Sequence, residues 1–136
     1  MIDGDIVLNK INTIERCLMR IQEEYENNPE NLKNFTKQDS IILNIQRACE
    51  ASIDLAMHII SEKKLGLPKT SREAFKLLEE AKIIDTSLAK TLMNMVGFRN
   101  IAVHDYRAIR LDILQAIIER HLQDFKDYSR IILSLK

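Results

Sequence analysis

Apolar residues recur every three or four positions along most of this chain, a period that fits the turn of an α-helix. The alternation of apolar and polar residues that a half-buried strand requires does not extend over any useful length. The 136 residues include only three glycines and two prolines, so few positions can interrupt a helix. The sequence therefore predicts one all-α domain over residues 1–136, a bundle of about five helices of which two are long.

Local capping signals predict where these helices begin and end. The first helix is expected from about Asp5 to Glu26, before the break "NNPEN". The segments "TKQD" and "TSRE" resemble capping boxes and predict N-caps at Thr36 and Thr70. The second helix is expected to end near Lys63, with Gly66 as its C-cap. The last two helices are expected to begin near Asp85 and Asp112.

The charge balance limits the classes of partner. Basic and acidic residues number 20 each, so the chain is not a general polyanion binder, and any nucleic-acid contact must come from a local patch or from the geometry of an oligomer. The N-terminus lacks the pattern of a signal peptide, and no apolar run approaches the roughly 18 residues of a membrane span. We therefore expect a cytoplasmic protein without membrane contact.

The two cysteines, Cys17 and Cys49, fall among apolar residues of predicted helices. Buried, reduced thiols are the simplest interpretation, and no Cys/His cluster suggests zinc. Asp54, His58 and Glu62 share one helix face, where a solvated charge ladder is favoured over a metal site. We therefore predict no bound metal.

The fourth helix contains a charged residue in an unexpected place. On a helical projection Arg99 falls in the middle of its apolar stripe. A buried arginine needs a partner, because an unpaired charge is costly in an apolar environment. Glu50 and Asp54 on the second helix are the candidate partners, and the sequence leaves open whether Arg99 is structural or catalytic. The stripe consists of Leu88, Leu92, Met95, Val96, Ala102 and Val103.

The opposite face of that helix carries Met93, Gly97, Asn100 and His104. Gly97 would let another group approach closely, and Asn100 can meet His104 one turn away. Arg99 and His104 lie about 140° apart on a regular helix, so one copy would not bring them together well. Two copies packed across a twofold axis could form a shared cleft, which the largely apolar circumference of the helix also favours.

An arginine and a histidine suit the cleavage of RNA. Histidine exchanges protons near neutral pH, and arginine binds phosphate and stabilises charge that develops on it. The ribose 2′-hydroxyl is the nucleophile, so the protein needs neither its own nucleophile nor a metal ion. One histidine cannot both accept and donate a proton in a single step, but a pair from two subunits can.

The segment "FRNIAVHDY" closely resembles the signature of the HepT-like family within the HEPN superfamily: an arginine, four residues, a histidine, one residue and a tyrosine. Arg99, His104 and Tyr106 match these positions, and Asn100 matches a common supporting asparagine. The resemblance extends to "INTIERCLMRI", "QDSIILNIQRACEASIDLAMHII" and the last helix, nearly the whole chain.

This resemblance implies a HEPN-like bundle and a dimeric, metal-independent endoribonuclease that is the toxin of a type VII toxin–antitoxin pair and needs no cofactor. It implies Arg99 and His104 as catalytic residues. The implied partner is an MntA-like nucleotidyltransferase that inactivates the toxin by transferring AMP to Tyr106. The alternatives are a non-catalytic nucleotide-binding or adaptor subunit of a nucleotidyltransferase, and a purely structural helical dimer.

Three further side chains have open interpretations. Arg107 and Arg110, in "YRAIR", either contact RNA phosphate or belong to a solvated loop. His121 is interpreted as a structural histidine. For Tyr106 itself, ordinary helix packing is the alternative to modification.

Overall fold

The structure, a computed structural model, describes residues 2–135 and contains no strand within them. The first four helices end in short loops, and the last helical run continues from α5 through one π-helical turn (Ile117–His121) into α6. Counted as one, this run is the fifth helix, so the predicted all-α bundle is confirmed. The helices are α1 (Gly4–Tyr25), α2 (Phe35–Lys63), α3 (Ser71–Glu80), α4 (Thr86–His104), α5 (Leu111–Ala116) and α6 (Leu122–Leu133). Short 3₁₀ turns cover Pro29–Lys33 and Tyr106–Ala108.

Helices α1 and α2 form an antiparallel pair. Lys10, near the start of α1, pairs with Asp54 in the second half of α2 at 3.0 Å. At the other end, Lys37 pairs with Glu26 at 3.2 Å. These ion pairs are largely exposed and add little stability, so burial of the apolar faces between the helices dominates.

The other helices pack around α2. Tyr128 of α6 is fully buried, and its hydroxyl donates to the Ser52 carbonyl of α2 at 2.8 Å. Its ring lies edge-on to Phe75 of α3, with the ring centroids 5.8 Å apart. The Cys49 thiol of α2 donates to the Met95 carbonyl of α4 at 3.6 Å. One continuous hydrophobic cluster joins the helices and fixes where α4 lies.

Two predicted caps of α2 are wrong. Asn34, not Thr36, caps its start, and the Asn34 side chain accepts from the Lys37 N–H at 3.0 Å. At the other end Lys64, not Gly66, adopts the left-handed conformation, with φ 55°. The Leu65 N–H then donates to the Ile60 carbonyl at 3.0 Å, which completes a Schellman motif without glycine.

The remaining boundaries are confirmed to within a residue or two. Asp3 caps α1, and Thr70 caps α3 as predicted, accepting from the Glu73 N–H at 3.1 Å. Asp85 caps α4 and accepts from the Leu88 N–H at 2.8 Å. No helix within residues 2–135 combines the length and apolar character needed to cross a membrane.

Candidate functional site

The site lies where α4 ends. His104 is the last residue of α4, and Asp105 leaves the helical conformation with φ −150° and ψ 62°. The His104 side chain is exposed, and its ring has no hydrogen-bond partner among residues 2–135. Tyr106 begins the 3₁₀ turn that follows. The histidine therefore stands at the rim of the bundle, where a substrate can reach it.

Arg99 points away from this rim into the bundle. Its Nη2 donates to the Ser71 hydroxyl at the start of α3, at 3.2 Å. Its Nε is buried and has no hydrogen-bond partner in the described part of the chain. Burial raises the pKa of the Cys49 thiol to about 12, and the nearby Arg99 guanidinium opposes that rise. Arg99 therefore lies between α2, α3 and α4.

The predicted partners of Arg99 are wrong. Asp54 pairs with Lys10 instead, and Glu50 forms no ion pair with Arg99. The partner is Ser71, a neutral hydroxyl that satisfies a donor without neutralising the charge. A guanidinium held this way retains its full positive charge for an anion.

Within one chain, Arg99 and His104 are not brought together. The helix is regular between them, so the two side chains are about 140° apart around its axis and about 7.5 Å apart along it. No hydrogen bond connects them, directly or through a shared partner. The two side chains of one chain therefore lie on different faces of α4.

A second arginine lies on the face that carries His104. Gly97 and His104 are seven residues apart, close to two turns, and so share this face with Asn100, which is exposed. The Arg72 Nε donates to the Met93 carbonyl at 3.3 Å. Its Nη2 lies 2.7 Å from where a Cβ on Gly97 would be, so a larger residue at this position would displace the Arg72 guanidinium. The close approach predicted for Gly97 is therefore that of Arg72.

The hydroxyl of Tyr106 donates to the carboxylate of Asp39, in the first turns of α2. The ring of Tyr106 is 41% exposed, so it is not a core residue. Tyr106 thus lies at the surface against α2, and its modification stays a prediction. The sequence pattern placed Asp39 in a capping box, whereas the structure places it against Tyr106.

Desolvation, and then the hydrogen bond to Asp39 and its negative charge, raise the pKa of Tyr106 from 10.0 to about 12. The pKa in the folded state thus exceeds that in the unfolded state. The stability that this interaction contributes is fully present below about pH 10 and is lost as the pH rises through 12. At neutral pH the phenol is protonated, and Asp39 is the group that accepts its hydrogen bond.

The two arginines after the motif differ from each other. Arg107 is exposed and has no partner among residues 2–135. Arg110 forms a double hydrogen bond with Asp112, Nε to Oδ1 at 3.1 Å and Nη2 to Oδ2 at 2.8 Å. Arg110 therefore has to give up a carboxylate before it can contact a phosphate, whereas Arg107 does not.

The other sequence features have ordinary surroundings. Cys17 and Cys49 are buried free thiols, as predicted. His58 accepts the Asp3 N–H at 3.2 Å, and His121 contacts Asp124 at 2.9 Å. Within residues 2–135, no three His, Cys, Asp or Glu side chains are arranged to hold a metal ion.

Large apolar side chains are exposed around the site. Val103, predicted to be in the core stripe, is 46% exposed, whereas Ala102 beside it in the last turn of α4 is buried. Ile101 and Ile113 are 42% and 47% exposed, and Leu111 is exposed as well. The single chain thus leaves four large apolar side chains exposed within ten residues of His104 and Tyr106, namely Ile101, Val103, Leu111 and Ile113.

Comparison with known proteins decides the family. The profile of the HepT-like ribonuclease family matches residues 14–132. The chain belongs to this family. An mRNA nuclease HepT of Shewanella oneidensis is 48% identical over 129 residues, which cover 95% of this chain and 97% of the relative. A tRNA nuclease HepT of Aphanizomenon flos-aquae is 34% identical over 101 residues, covering 74% and 69%.

A solved structure of a relative supports the fold in detail. The tri-AMPylated HEPN toxin of Shewanella oneidensis, in complex with an MNT antitoxin, superposes with a TM-score of 0.92. The two chains are 47% identical, and the match covers 97% of this chain and 99% of the other. The HepT-like bundle predicted from the motif is therefore the fold of this chain.

Sequence reasoning missed three residues of the site: Asp39, Ser71 and Arg72. Asp39 and Ser71 lie in segments that gave only capping signals, far along the chain from the residues they contact. Gly97 was the one available signal for Arg72, since a glycine inside a helix indicates close approach without identifying the group that approaches.

The contact between Asp39 and Tyr106 can be tested by titration. Asp39→Asn removes the negative charge that disfavours the phenolate, so the pKa of Tyr106 should fall from about 12 towards 10. The measurement is a ¹³C NMR titration of labelled tyrosines. Glu119→Gln is the matched control, because Glu119 accepts from Tyr25 in the same way and should affect only Tyr25. An unchanged Tyr106 titration in Asp39→Asn contradicts the contact.

Proposed function

We propose that this chain is a metal-independent endoribonuclease toxin of a type VII toxin–antitoxin system. The observation that carries the proposal is the complete Arg99, His104, Tyr106 motif at the exposed end of α4. Membership of the HepT-like ribonuclease family and the nuclease names of two relatives support it. RNA is the proposed substrate.

In the proposed reaction, the 2′-hydroxyl of a ribose attacks the adjacent phosphorus. A new O2′–P bond forms, the bond from phosphorus to O5′ breaks, and a 2′,3′-cyclic phosphate results. His104 exchanges the protons, one being removed from the 2′-hydroxyl and one delivered to O5′. Arg99 stabilises the negative charge that develops on the phosphate. Asn100 supports His104 from one turn away.

We propose that two copies of the chain form the active site. A second copy supplies the second histidine that one-step proton transfer requires, and it removes the geometric separation of Arg99 and His104. The exposed apolar side chains beside the motif, including Ile101 and Val103, provide surface that such a dimer would bury. Arg107 lies at the edge of the same region and is proposed to contact RNA phosphate, with Arg110 as a second contact once it leaves Asp112.

We propose that an MntA-like nucleotidyltransferase is the antitoxin and that it acts on Tyr106. The Tyr106 oxygen attacks the α-phosphorus of ATP, an oxygen–phosphorus bond forms, pyrophosphate leaves, and Asp39 takes the phenolic proton. The added AMP brings a negative charge and a nucleoside to within two residues of His104. A tri-AMPylated relative in complex with its antitoxin supports this regulation.

Catalysis predicts the effect of two substitutions. His104→Ala and Arg99→Ala should each lower the rate of RNA cleavage by roughly two orders of magnitude or more, the usual scale for such groups. A fluorogenic RNA assay measures this, and EDTA should leave the wild-type rate unchanged. His121→Ala is the control, because His121 contacts Asp124 away from the motif. Normal cleavage by His104→Ala, or loss of cleavage in EDTA, contradicts the assignment.

The proposed shared site predicts a dimer. Analytical ultracentrifugation at micromolar concentration should give about twice the 15.8 kDa of one chain. Val103→Asp should shift the mass towards the monomer and lower RNA cleavage, since it places a charge in the exposed apolar surface. Leu67→Asp is the control, because Leu67 is exposed in the loop before α3. A wild-type monomer that cleaves RNA overturns the shared-site mechanism.

Regulation at Tyr106 predicts a defined chemical product. Incubation with the cognate nucleotidyltransferase, ATP and Mg²⁺ should add mass in AMP units at Tyr106 and abolish RNA cleavage. Tyr106→Phe should gain no mass, and Asp39→Asn should gain it more slowly. Tyr25→Phe is the control, since Tyr25 also donates to a carboxylate. If the nucleotidyltransferase inhibits Tyr106→Phe as well as wild type, inhibition works by complex formation alone.

A further inference from the structure

An open groove of about 600 Å³ runs between α1 and α2, beginning at Asp39. We call it the arginine groove, after Arg16, Arg20 and Arg47, which line it. Asp39 and Arg47 are eight residues apart on α2, so the groove extends for about 12 Å. The other lining residues are Thr13, Cys17, Ser40, Leu43 and Asn44.

The cations of this groove are available to a ligand. Arg16 and Arg47, from facing helices, form no hydrogen bond or ion pair within residues 2–135. Arg20 lies 3.8 Å from Glu23 and 3.9 Å from Glu24, and such long surface pairs contribute little. Asp39, the one carboxylate of the lining, is engaged by the hydroxyl of Tyr106.

Arg16 and Arg47 line the groove from its two opposite helices. Burial raises the pKa of the Cys17 thiol, and the charges of Arg47 and Arg16 both oppose the rise. The two exposed arginines and the buried Cys17 thiol thus line one groove, although the arginines belong to different helices. Two arginines on facing sides of one groove bind phosphate oxygens more strongly than scattered surface charges do.

The groove is also adjacent to the modified position. The Tyr106 hydroxyl donates to Asp39 at the end of the groove. When that hydroxyl carries a phosphate, it has no proton to donate, and the phosphate repels the Asp39 carboxylate. The arginines of the same groove are the cations that would attract it.

We propose that the arginine groove binds the phosphodiester backbone of single-stranded nucleotides, either the RNA substrate or the nucleotides attached to Tyr106. The inference rests on the proposed function and deepens it. A chain whose acidic and basic residues balance at 20 each needs a local patch to bind a polyanion, and this groove is one. The exposed Leu43 side chain adds an apolar contact for a base.

The first test measures binding separately from cleavage. The probe is a fluorescein-labelled single-stranded DNA 12-mer, which has no 2′-hydroxyl and so cannot be cut by this mechanism. Its dissociation constant is measured by anisotropy across a range of salt concentrations. The double variant R16A/R47A should bind roughly tenfold more weakly. The logarithm of the binding constant falls linearly with the logarithm of the salt concentration, and the magnitude of this salt slope should be smaller by about 1.4 in the variant. Each phosphate that an arginine no longer neutralises lowers the magnitude of the slope by about 0.7.

Two controls separate the groove from general charge. R120A/R130A removes the same number of positive charges from exposed positions in the last helical run and should bind like wild type. R16K/R47K keeps the charge and should largely restore the salt slope. Equal affinity and slope in R16A/R47A and R120A/R130A, or wild type that does not bind the probe, excludes a free strand as the ligand and leaves the nucleotides on Tyr106 as the ligand to be tested.

The second test identifies the source of the phosphate. The ³¹P NMR spectrum of the AMP-modified protein is compared between wild type and R16A/R47A. A changed phosphate signal shows that the groove binds the nucleotides on Tyr106, and weaker 12-mer binding shows that it binds a free strand. Either result supports the proposal, and the absence of both overturns it.

The tests also distinguish this proposal from the proposed function. If wild type cuts no RNA but loses DNA binding in R16A/R47A, the groove stands and the nuclease assignment fails. If wild type cuts RNA and R16A/R47A resembles R120A/R130A in both tests, the nuclease stands and the groove fails.

Discussion

Helix α2 contacts α1, α3, α4 and α6, and the burial of its apolar face fixes the positions of all four. Three groups of the site depend on this helix. Cys49 lies beside Arg99, Asp39 accepts from Tyr106, and Arg47 lines the arginine groove. Because these residues belong to one continuous helix of 29 residues, their positions relative to one another are fixed.

The site divides between the two sides of α4. On one side, Arg99 keeps its charge against the neutral Ser71 hydroxyl, inside the bundle. On the other, Arg72 crosses Gly97, on the face that carries the exposed His104. Under the proposed function, a second copy of the chain brings these two sides together. The exposed apolar side chains around residues 101–113 belong to the surface that this copy is proposed to cover.

The sequence was sufficient for the parts of the fold that local signals determine. The periodicity predicted the helices, and Thr70 and Asp85 were correctly expected near the starts of α3 and α4. The sequence did not predict the caps of α2, because several neighbouring residues can serve as a cap equally well. Asn34 and Lys64 cap this helix in place of Thr36 and Gly66.

The partners of the motif could not be predicted for a different reason. Asp39 contacts Tyr106, and Ser71 contacts Arg99, because helices that are distant in sequence pack together. No local sequence pattern encodes such contacts. Glu50 and Asp54 were reasonable partners for Arg99 by charge. In the structure Asp54 pairs with Lys10 instead, and Arg99 donates to the Ser71 hydroxyl. Val103 was predicted to be in the core because a helical projection shows which residues share a face but not whether a neighbouring helix covers that face.

Tyr106 lies outside α4, in a three-residue turn with its side chain partly exposed. A group attached there leaves the helical backbone unchanged, so the protein keeps its fold. Under the proposed function, inhibition by a bound antitoxin and inhibition by AMP attached to Tyr106 differ in how long they last. A bound antitoxin dissociates as a growing cell dilutes it, whereas a phosphodiester on this tyrosine does not. Each chain, once modified, would stay silent for the rest of its lifetime unless that bond is cleaved.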